Sequence, residues 1–483
     1  MEDNRPTLIK QTVINYFNLI ITYIIGFFSI FALTRILTVE EYGAYALLFT
    51  FATILGIFIN LGIAEYIASQ FGKFSSIEKA KRFNGIFRFS FITQFVFIFI
   101  LYIFRFRILG LLNLQDYLFE YYVILIIIFN LALLRNIYSY YQSRKKLEFT
   151  AILNFLSLNL GTILFITYYL IIGTLNLKIA FFTWLAALVL SNFVGIMKIL
   201  KLRIGLKIKA IIKPALQFSI PLIPFIIADS LIIFSDRFII NYLINTSEVA
   251  FYTLAYQLHS IIFSFGALIF ILFLPYIAEL LHKKKKIKQY INYSIKYCLL
   301  MVIPAITILS VLAPSIVTLV SGVKYIPSIK FIWFLAPFPL FATLLVLFYH
   351  LLWIKEKTKF LGIVYLIGGL LNIILNFILI IYFNSALGAA IATVITYLLL
   401  FILLFIKTNI SIYLDYKFLK IGRIFTSSIL AGFIISFIRP EYFIYKIITI
   451  ILFFVIYIIL LLILRTFVKD EKNILRIIKS KIF

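Results

Sequence analysis

The sequence predicts an all-α membrane protein that crosses the bilayer about fourteen times. Of its 483 residues, 64% are hydrophobic and only 13% are charged, and the mean hydropathy is +1.11. A soluble domain is about half apolar and about a quarter charged, so lipid has to cover this excess of apolar surface. Apolar runs of about 20 residues, the length that crosses the hydrocarbon core as a helix, recur along the whole chain.

The predicted spans follow one another with short connections. They cover residues 12–33, 43–67, 84–104, 118–141, 149–173, 178–200, 214–235, 249–275, 289–313, 328–353, 359–383, 385–406, 420–438 and 442–464. The first run is too long for the apolar core of a removed signal peptide, and it lacks a small-residue cleavage site. The longest odd-numbered connections, 105–117 and 314–327, leave no room for a folded domain.

The distribution of Lys and Arg predicts the orientation of the spans. If the N-terminus is cytoplasmic, the even-numbered loops and the two termini lie inside and hold 34 of the 45 basic residues, whereas the odd-numbered loops hold nine. This alternation follows the positive-inside rule. We therefore expect a protein of the cell (inner, cytoplasmic) membrane with both termini in the cytoplasm. The net charge of +27 is then a topology signal, and nucleic acid is not an expected partner.

Several kinds of chemistry lack their usual residues in this chain. It has three His and one Cys, Cys298, which leaves no His/Cys metal cluster and no internal disulfide framework. Neither the phosphate-loop pattern GxxxxGK[ST] nor HExxH occurs. We therefore expect no resident metal or organic cofactor.

A short repeat predicts an internal duplication. The segment 41–47, EYGAYAL, stands beside 248–254, EVAFYTL, and Glu, Tyr and Leu recur at the same offsets. Each segment follows an outward-going helix and opens an inward-going one, six spans apart. The repeat predicts two six-helix lobes in the same orientation, a common transporter plan. The predicted lobes are residues 1–207 and 208–407, followed by an extra pair of helices at 408–468 and an amphipathic cytoplasmic tail at 469–483.

Three further stretches carry a family resemblance. They are TRILTVEEYGAY at 34–45, FSIPLIP at 218–224 leading to DRFII at 236–240, and NIILN at 372–376 followed by LGAAIAT at 387–393. In this order, the set resembles the polysaccharide-biosynthesis flippases, the Wzx-like O-antigen translocases of the multidrug/oligosaccharidyl-lipid/polysaccharide exporter superfamily. One departure is Val249-Ala250, where the family usually has Gly before the aromatic residue.

The resemblance implies both a fold and a cargo. It implies two lobes, as in MATE and MurJ transporters, around a central cavity that opens to alternate sides. The implied cargo is a polyprenyl-diphosphate-linked oligosaccharide of O-antigen or lipopolysaccharide synthesis. Membrane lipids, a polysaccharide polymerase and glycosyltransferases are the implied partners, with H⁺ or Na⁺ as a coupling ion.

Three other functions stay open at this point. A drug/cation antiporter or a flippase for the peptidoglycan lipid precursor would use the same scaffold. A membrane polymerase, ligase or glycosyltransferase is disfavoured, because its only candidate acidic pair, Glu40-Glu41, lies in a loop too short to build a site.

Ionisable residues inside spans are the first candidates for the transport pathway. Asp229 is the deepest acid of the seventh span and is a candidate carrier of a coupling cation or proton. Asp236 lies two turns further on, so it shares a face with Asp229, and Arg237 follows it directly. Asp236 and Arg237 fit either a cavity wall or an ion pair that orients the helix at the outer interface.

Four more candidates lie at the ends of spans or within them. Arg35 either meets the diphosphate at the outer mouth or snorkels towards Glu40 or Glu41. Arg135 either receives the anionic head group or snorkels to the inner interface. Glu65 either pairs with a base inside the cavity or is an interfacial acid. His259 suits proton coupling, or it is a hydrogen-bonded structural residue.

Two prolines, two asparagines and one lysine inside the predicted spans have expected structural roles. Pro221 and Pro224 form either a hinge or a static kink at the inner end of the seventh span. Asn372 and Asn376 of the eleventh span are expected to pack against a neighbouring helix through hydrogen bonds. Lys296 is expected to snorkel to the inner interface.

Overall fold

A computed structural model of the chain describes residues 5–173, 176–197, 199, 208–279, 284–355, 357–438, 440 and 442–467. All regular structure in these ranges is helical. The α-helices are α1 Arg5–Ile36, α2 Val39–Phe58, α3 Ile63–Gln70, α4 Ser76–Ile103, α5 Arg105–Leu111, α6 Leu118–Ser143, α7 Leu147–Asn154, α8 Leu160–Ile172, α9 Leu177–Met197, α10 Ile208–Ser219, α11 Ile223–Leu243, α12 Thr246–Glu279, α13 Lys284–Val311, α14 Ala313–Val320, α15 Ile329–Leu335, α16 Phe338–Ile354, α17 Thr358–Phe383, α18 Leu387–Thr408, α19 Tyr416–Leu419, α20 Ile421–Ser436 and α21 Phe443–Ile463. Short 3₁₀ helices cover Phe71–Lys73, Gln115–Tyr117, Ile220–Leu222, Val323–Ser328 and Ile410–Tyr413, and a π-helical stretch, Phe155–Asn159, joins α7 to α8.

The membrane spans confirm the predicted fold class. Twelve helices of the described residues are long and apolar enough to cross a membrane, and two bent helix pairs bring the number to fourteen. The bent pairs are Ile211–Leu222 with Ile226–Leu243, at 50°, and Val323–Leu335 with Phe338–Ile354, at 49°. Each of the fourteen overlaps one predicted span, in the predicted order. The chain is therefore an all-α, multi-pass membrane protein.

The second span differs from its prediction as one continuous helix over 43–67. Helix α2 ends at Phe58, and α3 begins only at Ile63. Between them Leu61 and Gly62 take left-handed conformations, with φ of 54° and 69°. The Ser219 hydroxyl donates to the Gly62 carbonyl at 2.8 Å. This break was not predicted because its partner, Ser219, lies far away in the sequence.

Contacts divide the chain into two compact units, Met1–Ala250 and Phe251–Phe483. In the first unit, α6 packs against α2, α3, α4 and α9, and α10 and α11 of the seventh span pack on α2, α3 and α4. In the second unit, α18 packs on α16 and α17, while α13 contacts α16, α20 and α21. The predicted lobe boundary after residue 207 follows the sequence repeat and stays a prediction. The predicted tail at 469–483 lies outside the described residues.

The two repeat segments open their helices in the same way. Thr38 caps α2, and Glu41 completes the capping box by accepting from the Thr38 N–H at 2.9 Å. At the start of α12, the Asn245 side chain accepts from the Glu248 N–H at 2.8 Å. Both glutamates therefore stand three residues after a capping side chain, which fits the predicted duplication.

The tyrosines of the repeat also contact equivalent helices. The Tyr45 ring stacks on Phe181 of the sixth span, with centroids 5.2 Å apart. The Tyr252 hydroxyl lies 3.2 Å from the Thr393 hydroxyl of the twelfth span. Within each unit, the repeat helix thus packs on the span four places further along the chain.

Lys296 does not snorkel, so that prediction is wrong. The residue is fully buried. Its ammonium donates to the Thr466 carbonyl at 3.2 Å and lies 4.6 Å from the Phe418 ring centre. The residues that follow α21 cover α13 at this point. A carbonyl and an aromatic ring therefore offset part of the cost of taking the ammonium out of water.

The eleventh and twelfth spans pack closely, as predicted. The Asn372 amide donates to the Thr396 hydroxyl at 3.1 Å, and the Asn376 amide donates to the Asn372 carbonyl at 2.9 Å. A Cβ added at Gly388 would lie 2.3 Å from the carbonyl carbon of Leu379. Only glycine allows the two backbones to approach this closely.

Gly388→Ala is therefore expected to destabilise the purified protein by about 1–3 kcal/mol, the usual cost of overpacking. The matched control is Gly362→Ala in α17, where an added Cβ would meet nothing within 4 Å. The apparent Tm in detergent should fall for Gly388→Ala and stay at or above the wild-type value for Gly362→Ala. Equal Tm changes in the two variants would contradict this account of the packing.

Candidate functional site

A partly exposed ion pair joins the short helix α3 to the fourth span in the first unit. Arg135 of α6 contacts Glu65 of α3, with Nη2 and Oε1 2.6 Å apart. The two side chains are 36% and 32% exposed. Glu65 stands in the first turn of α3, where the positive end of the helix dipole stabilises a carboxylate. The structure thus brings together two candidate residues that are 70 positions apart.

Two asparagines extend this site into the first unit. The Asn60 amide donates to the Asn136 side-chain oxygen at 2.9 Å and to the Ala132 carbonyl at 3.1 Å. Its own oxygen accepts from the Ala64 N–H at 2.9 Å, which fixes the start of α3. We call Asn60, Glu65, Arg135 and Asn136 the polar strip. Sequence reasoning missed both asparagines, although an amide inside an apolar run is itself a signal.

The polar strip keeps unused hydrogen-bonding capacity. Glu65 Oε2, Arg135 Nε and Asn136 Nδ2 are buried and have no hydrogen-bond partner among the described residues. Buried polar groups in proteins are almost always paired. The strip can therefore accept further polar contacts without first breaking its own.

Asp229 and Asp236 share one helix but have different surroundings. The Asp229 side chain is partly exposed, and its carboxylate forms no hydrogen bond or ion pair within the described part of the chain. Asp236 is fully buried, and its Oδ1 accepts from Arg237 Nη1 at 3.1 Å and from the Arg237 N–H at 2.8 Å. Arg237 also donates to the Ile233 carbonyl at 2.8 Å. Of the two acids, Asp229 is the more accessible to an ion.

The remaining charged candidates are Arg35 and His259. Arg35, in the last turn of α1, is exposed, and its guanidinium lies 5.3 Å from the Phe31 ring centre. Glu41, one of the two acids considered as its partner, also caps α2. His259 belongs to the second unit and is fully buried, with Nδ1 2.8 Å from the Ala255 carbonyl. Its Nε2 has no partner among the described residues.

The two prolines coincide with the bend of the seventh span. Pro221 lies in the 3₁₀ turn Ile220–Leu222, and Pro224 lies in the first turn of α11. The span bends by 50° between Leu222 and Ile226. A proline lacks an N–H and so frees a carbonyl, which favours a bend at this place. Movement about it stays a prediction.

Fourteen spans, with an accessible ion pair between α3 and the fourth of them, define a multi-pass membrane protein with polar residues between its helices. A family model described as "Polysaccharide biosynthesis protein" matches residues 32–330, and the chain belongs to this family. A comparison with curated proteins found no match.

Solved structures share the fold. "Lipid II flippase MurJ, inward closed conformation" gives a TM-score of 0.77 at 17% identity, over 94% of this chain and 98% of that chain. An inward-facing "multidrug resistance MATE family transporter of the MOP superfamily" gives 0.63 at 15% identity, over 83% and 98%. An outward-facing structure with the same description gives 0.55 at 14% identity, over 83% and 95%. These likenesses confirm the predicted MATE/MurJ-like fold.

Asp236→Ala is expected to lower stability by about 3–5 kcal/mol, because it removes one partner of a buried ion pair. Asp229→Ala, on the same helix, should change it by less than about 1 kcal/mol, because its partly exposed carboxylate has no partner in the described residues. The apparent Tm of each purified variant measures the difference. A loss of stability in Asp229→Ala as large as that in Asp236→Ala would show that Asp229 is also structural.

Proposed function

We propose that this protein is a flippase that moves polyprenyl-diphosphate-linked oligosaccharides from the cytoplasmic to the outer leaflet by alternating access. Family membership and the exporter fold support this class of function. The observation that carries it is the accessible Glu65–Arg135 pair that joins α3 to the fourth span. The positive-inside pattern supports a cytoplasmic membrane location with both termini inside.

The cargo explains why an arginine stands in this position. Its diphosphate is anionic, and moving such a group through hydrocarbon without partners would be very costly. A guanidinium binds phosphate oxygens through two parallel N–H donors. Arg135 lies about two turns before the end of α6, next to a basic loop that we place in the cytoplasm. The diphosphate can therefore meet Arg135 soon after it enters.

Glu65 gives Arg135 a partner when no cargo is bound. An unpaired guanidinium inside a membrane protein is costly, and the 2.6 Å contact with Glu65 offsets that cost. An arriving diphosphate then replaces one carboxylate oxygen as the partner. Binding exchanges one anion for another, which keeps the guanidinium paired throughout.

Asp229 is the proposed site for a coupling ion, H⁺ or Na⁺. Its carboxylate is partly exposed and has no counter-charge among the described residues. Binding a cation would neutralise it, so an ion gradient can shift the population of states. Glycosyltransferases would assemble the cargo inside, and a polymerase would consume it outside. This consumption would also drive net transport towards the outer leaflet.

A second candidate is a flippase for the peptidoglycan lipid precursor, which the likeness to the lipid II flippase structure favours. A drug/cation antiporter on this scaffold is the third candidate. The polar strip fits any diphosphate-linked cargo, so the glycan distinguishes the first two. An antiporter would need no phosphate-binding arginine.

The test is transport of defined cargo by the purified protein in vesicles. Fluorescent polyprenyl-diphosphate oligosaccharide is placed in one leaflet, and its protection from an external glycan-cleaving enzyme is followed with and without pH and Na⁺ gradients. Parallel vesicles carry the peptidoglycan precursor. No acceleration of either lipid over protein-free vesicles would exclude both flippase functions, and acceleration of the precursor alone would favour the second candidate.

Arg135→Ala is expected to slow transport at least about tenfold, because a charged hydrogen bond to the diphosphate contributes about 1.5–3 kcal/mol. The control is Arg144→Ala near the end of the same helix, where the guanidinium is bonded to the Tyr140 hydroxyl at 3.2 Å. The exchanged pair Glu65→Arg with Arg135→Glu separates the two roles of Arg135. It should recover stability but not transport, and recovery of both would make the pair purely structural.

Asp229→Asn is expected to abolish the effect of an ion gradient on transport and to leave the amount of folded protein unchanged. The amide keeps the size of the side chain but removes the negative charge that attracts a cation. Initial rates with and without each gradient are the measurement. Gradient-stimulated transport at the wild-type level would remove Asp229 from the coupling mechanism.

A further inference from the structure

A cluster of basic residues lies where α21 ends beside the start of α20. The Lys420 ammonium donates to the Arg465 carbonyl at 2.8 Å. Arg423 Nη1 donates to the same carbonyl and to the Leu464 carbonyl, each at 2.9 Å. The last carbonyls of a helix are common acceptors for basic side chains. Here two cations share one acceptor and therefore lie side by side.

Three basic side chains meet the carbonyls at this helix end. Beside Lys420 and Arg423, the buried Lys296 donates to the next carbonyl, that of Thr466. A helix C-terminus supplies only about half of a negative charge. Among the described residues, the carboxylate nearest in sequence to Lys420 is that of Asp415, which caps α19 by accepting from the Phe418 N–H at 3.1 Å. An external anion would therefore be attracted to this place.

The outer part of the cluster is open to a ligand. Lys417, Arg423 and Arg465 are exposed, and Lys420 is partly exposed. Arg423 donates both of its hydrogen bonds from Nη1, and its Nη2 and Nε have no acceptor among the described residues. Two parallel donors of this kind match the geometry of a phosphate.

The backbone at two of these residues is unusual. Lys420 and Arg465 both take left-handed conformations, with φ of 48° and 51°. For residues other than glycine this costs roughly 1–2 kcal/mol each. These conformations hold the carbonyl of one residue against the ammonium of the other and so bring the basic residues together.

The depth of the cluster in the bilayer indicates a lipid. It lies where the spans Tyr416–Ser436 and Phe443–Ile463 reach the membrane surface, the level of the phospholipid head groups. Directly beside it, Phe425, Ile429 and Ile463 expose apolar side chains. A ligand with a phosphate and acyl chains can contact the basic side chains through its phosphate and the apolar side chains through its acyl chains.

We propose that Lys417, Lys420, Arg423 and Arg465, the basic patch, bind the phosphate of an anionic phospholipid. Basic pockets between membrane helices are known to bind such head groups. The bound lipid neutralises the patch and stabilises the last two spans against α13. This proposal does not depend on the cargo, since no residue of the patch belongs to the polar strip.

The experiment measures lipid binding to the full-length detergent-solubilised protein. Phosphatidylglycerol and cardiolipin are titrated, with phosphatidylcholine for comparison, and native mass spectrometry counts the bound lipids. The test variant is Lys420→Gln with Arg423→Gln, since a glutamine amide can still donate to the carbonyls. The matched control is Lys355→Gln with Lys407→Gln, two basic residues at span ends in the same unit, which bind the Thr408 carbonyl and lie over the Phe360 ring.

We expect the wild type and the control to bind one anionic lipid more tightly than phosphatidylcholine. The test variant should lose about thirtyfold in affinity, because each basic residue contributes roughly a factor of five. Arg423→Gln alone, which keeps the Lys420 bond, covers the case in which the double variant does not fold, and it should lose about fivefold. Equal losses in the test and control variants, or no preference for anionic lipid in the wild type, would overturn the proposal.

Discussion

The structure depends on one constraint: a polar group placed inside a bilayer has to find its partner within the protein. Thr34 meets it locally, since its hydroxyl donates to the Ile30 carbonyl one turn back. The break in the second span needs help from elsewhere. There the Asn60 side-chain oxygen accepts a hydrogen bond from the Ala64 N–H at the start of α3, and the Ser219 hydroxyl donates one to the Gly62 carbonyl. The helix can stop inside the span because these side chains replace its missing bonds.

The same constraint separates structural charges from accessible ones. Asp236 and Arg237 are buried, and each satisfies the other and the backbone around it. Lys296 is buried with a carbonyl and a ring. Glu65 and Arg135 are also paired, but each is about one-third exposed and keeps a buried atom that has no partner among the described residues. Partial exposure together with unused donors and acceptors, rather than the presence of charge, marks the polar strip as the candidate site.

These differences explain what the sequence could and could not predict. A membrane span is a local property, because about 20 apolar residues suffice to cross the hydrocarbon, and all fourteen were placed. The Glu65–Arg135 pair could only be named as two separate candidates, since two positions 70 residues apart meet through tertiary packing. Lys296 was misjudged for the same reason, because the segment that buries it follows α21. The break at Leu61 and Gly62 depends on Ser219, which no local pattern reveals.

The family motifs mark positions that build the fold, and this limits what they say about cargo. Gly43 of the first motif lies against Thr246, where an added Cβ would be 2.8 Å from a methyl group. Ser219 of the second motif covers the break in the second span. Asn372 and Gly388 of the third bring α17 and α18 together.

The polar strip and Asp229, in contrast, lie outside all three motifs. A fold carries many functions, and the function resides in the site placed on it. Family membership therefore establishes the scaffold of this protein with some precision. The cargo has to be inferred from residues that the motifs do not include. Among these, the guanidinium of Arg135 is the most informative, because it is suited to bind an anion that enters between the helices from the membrane surface.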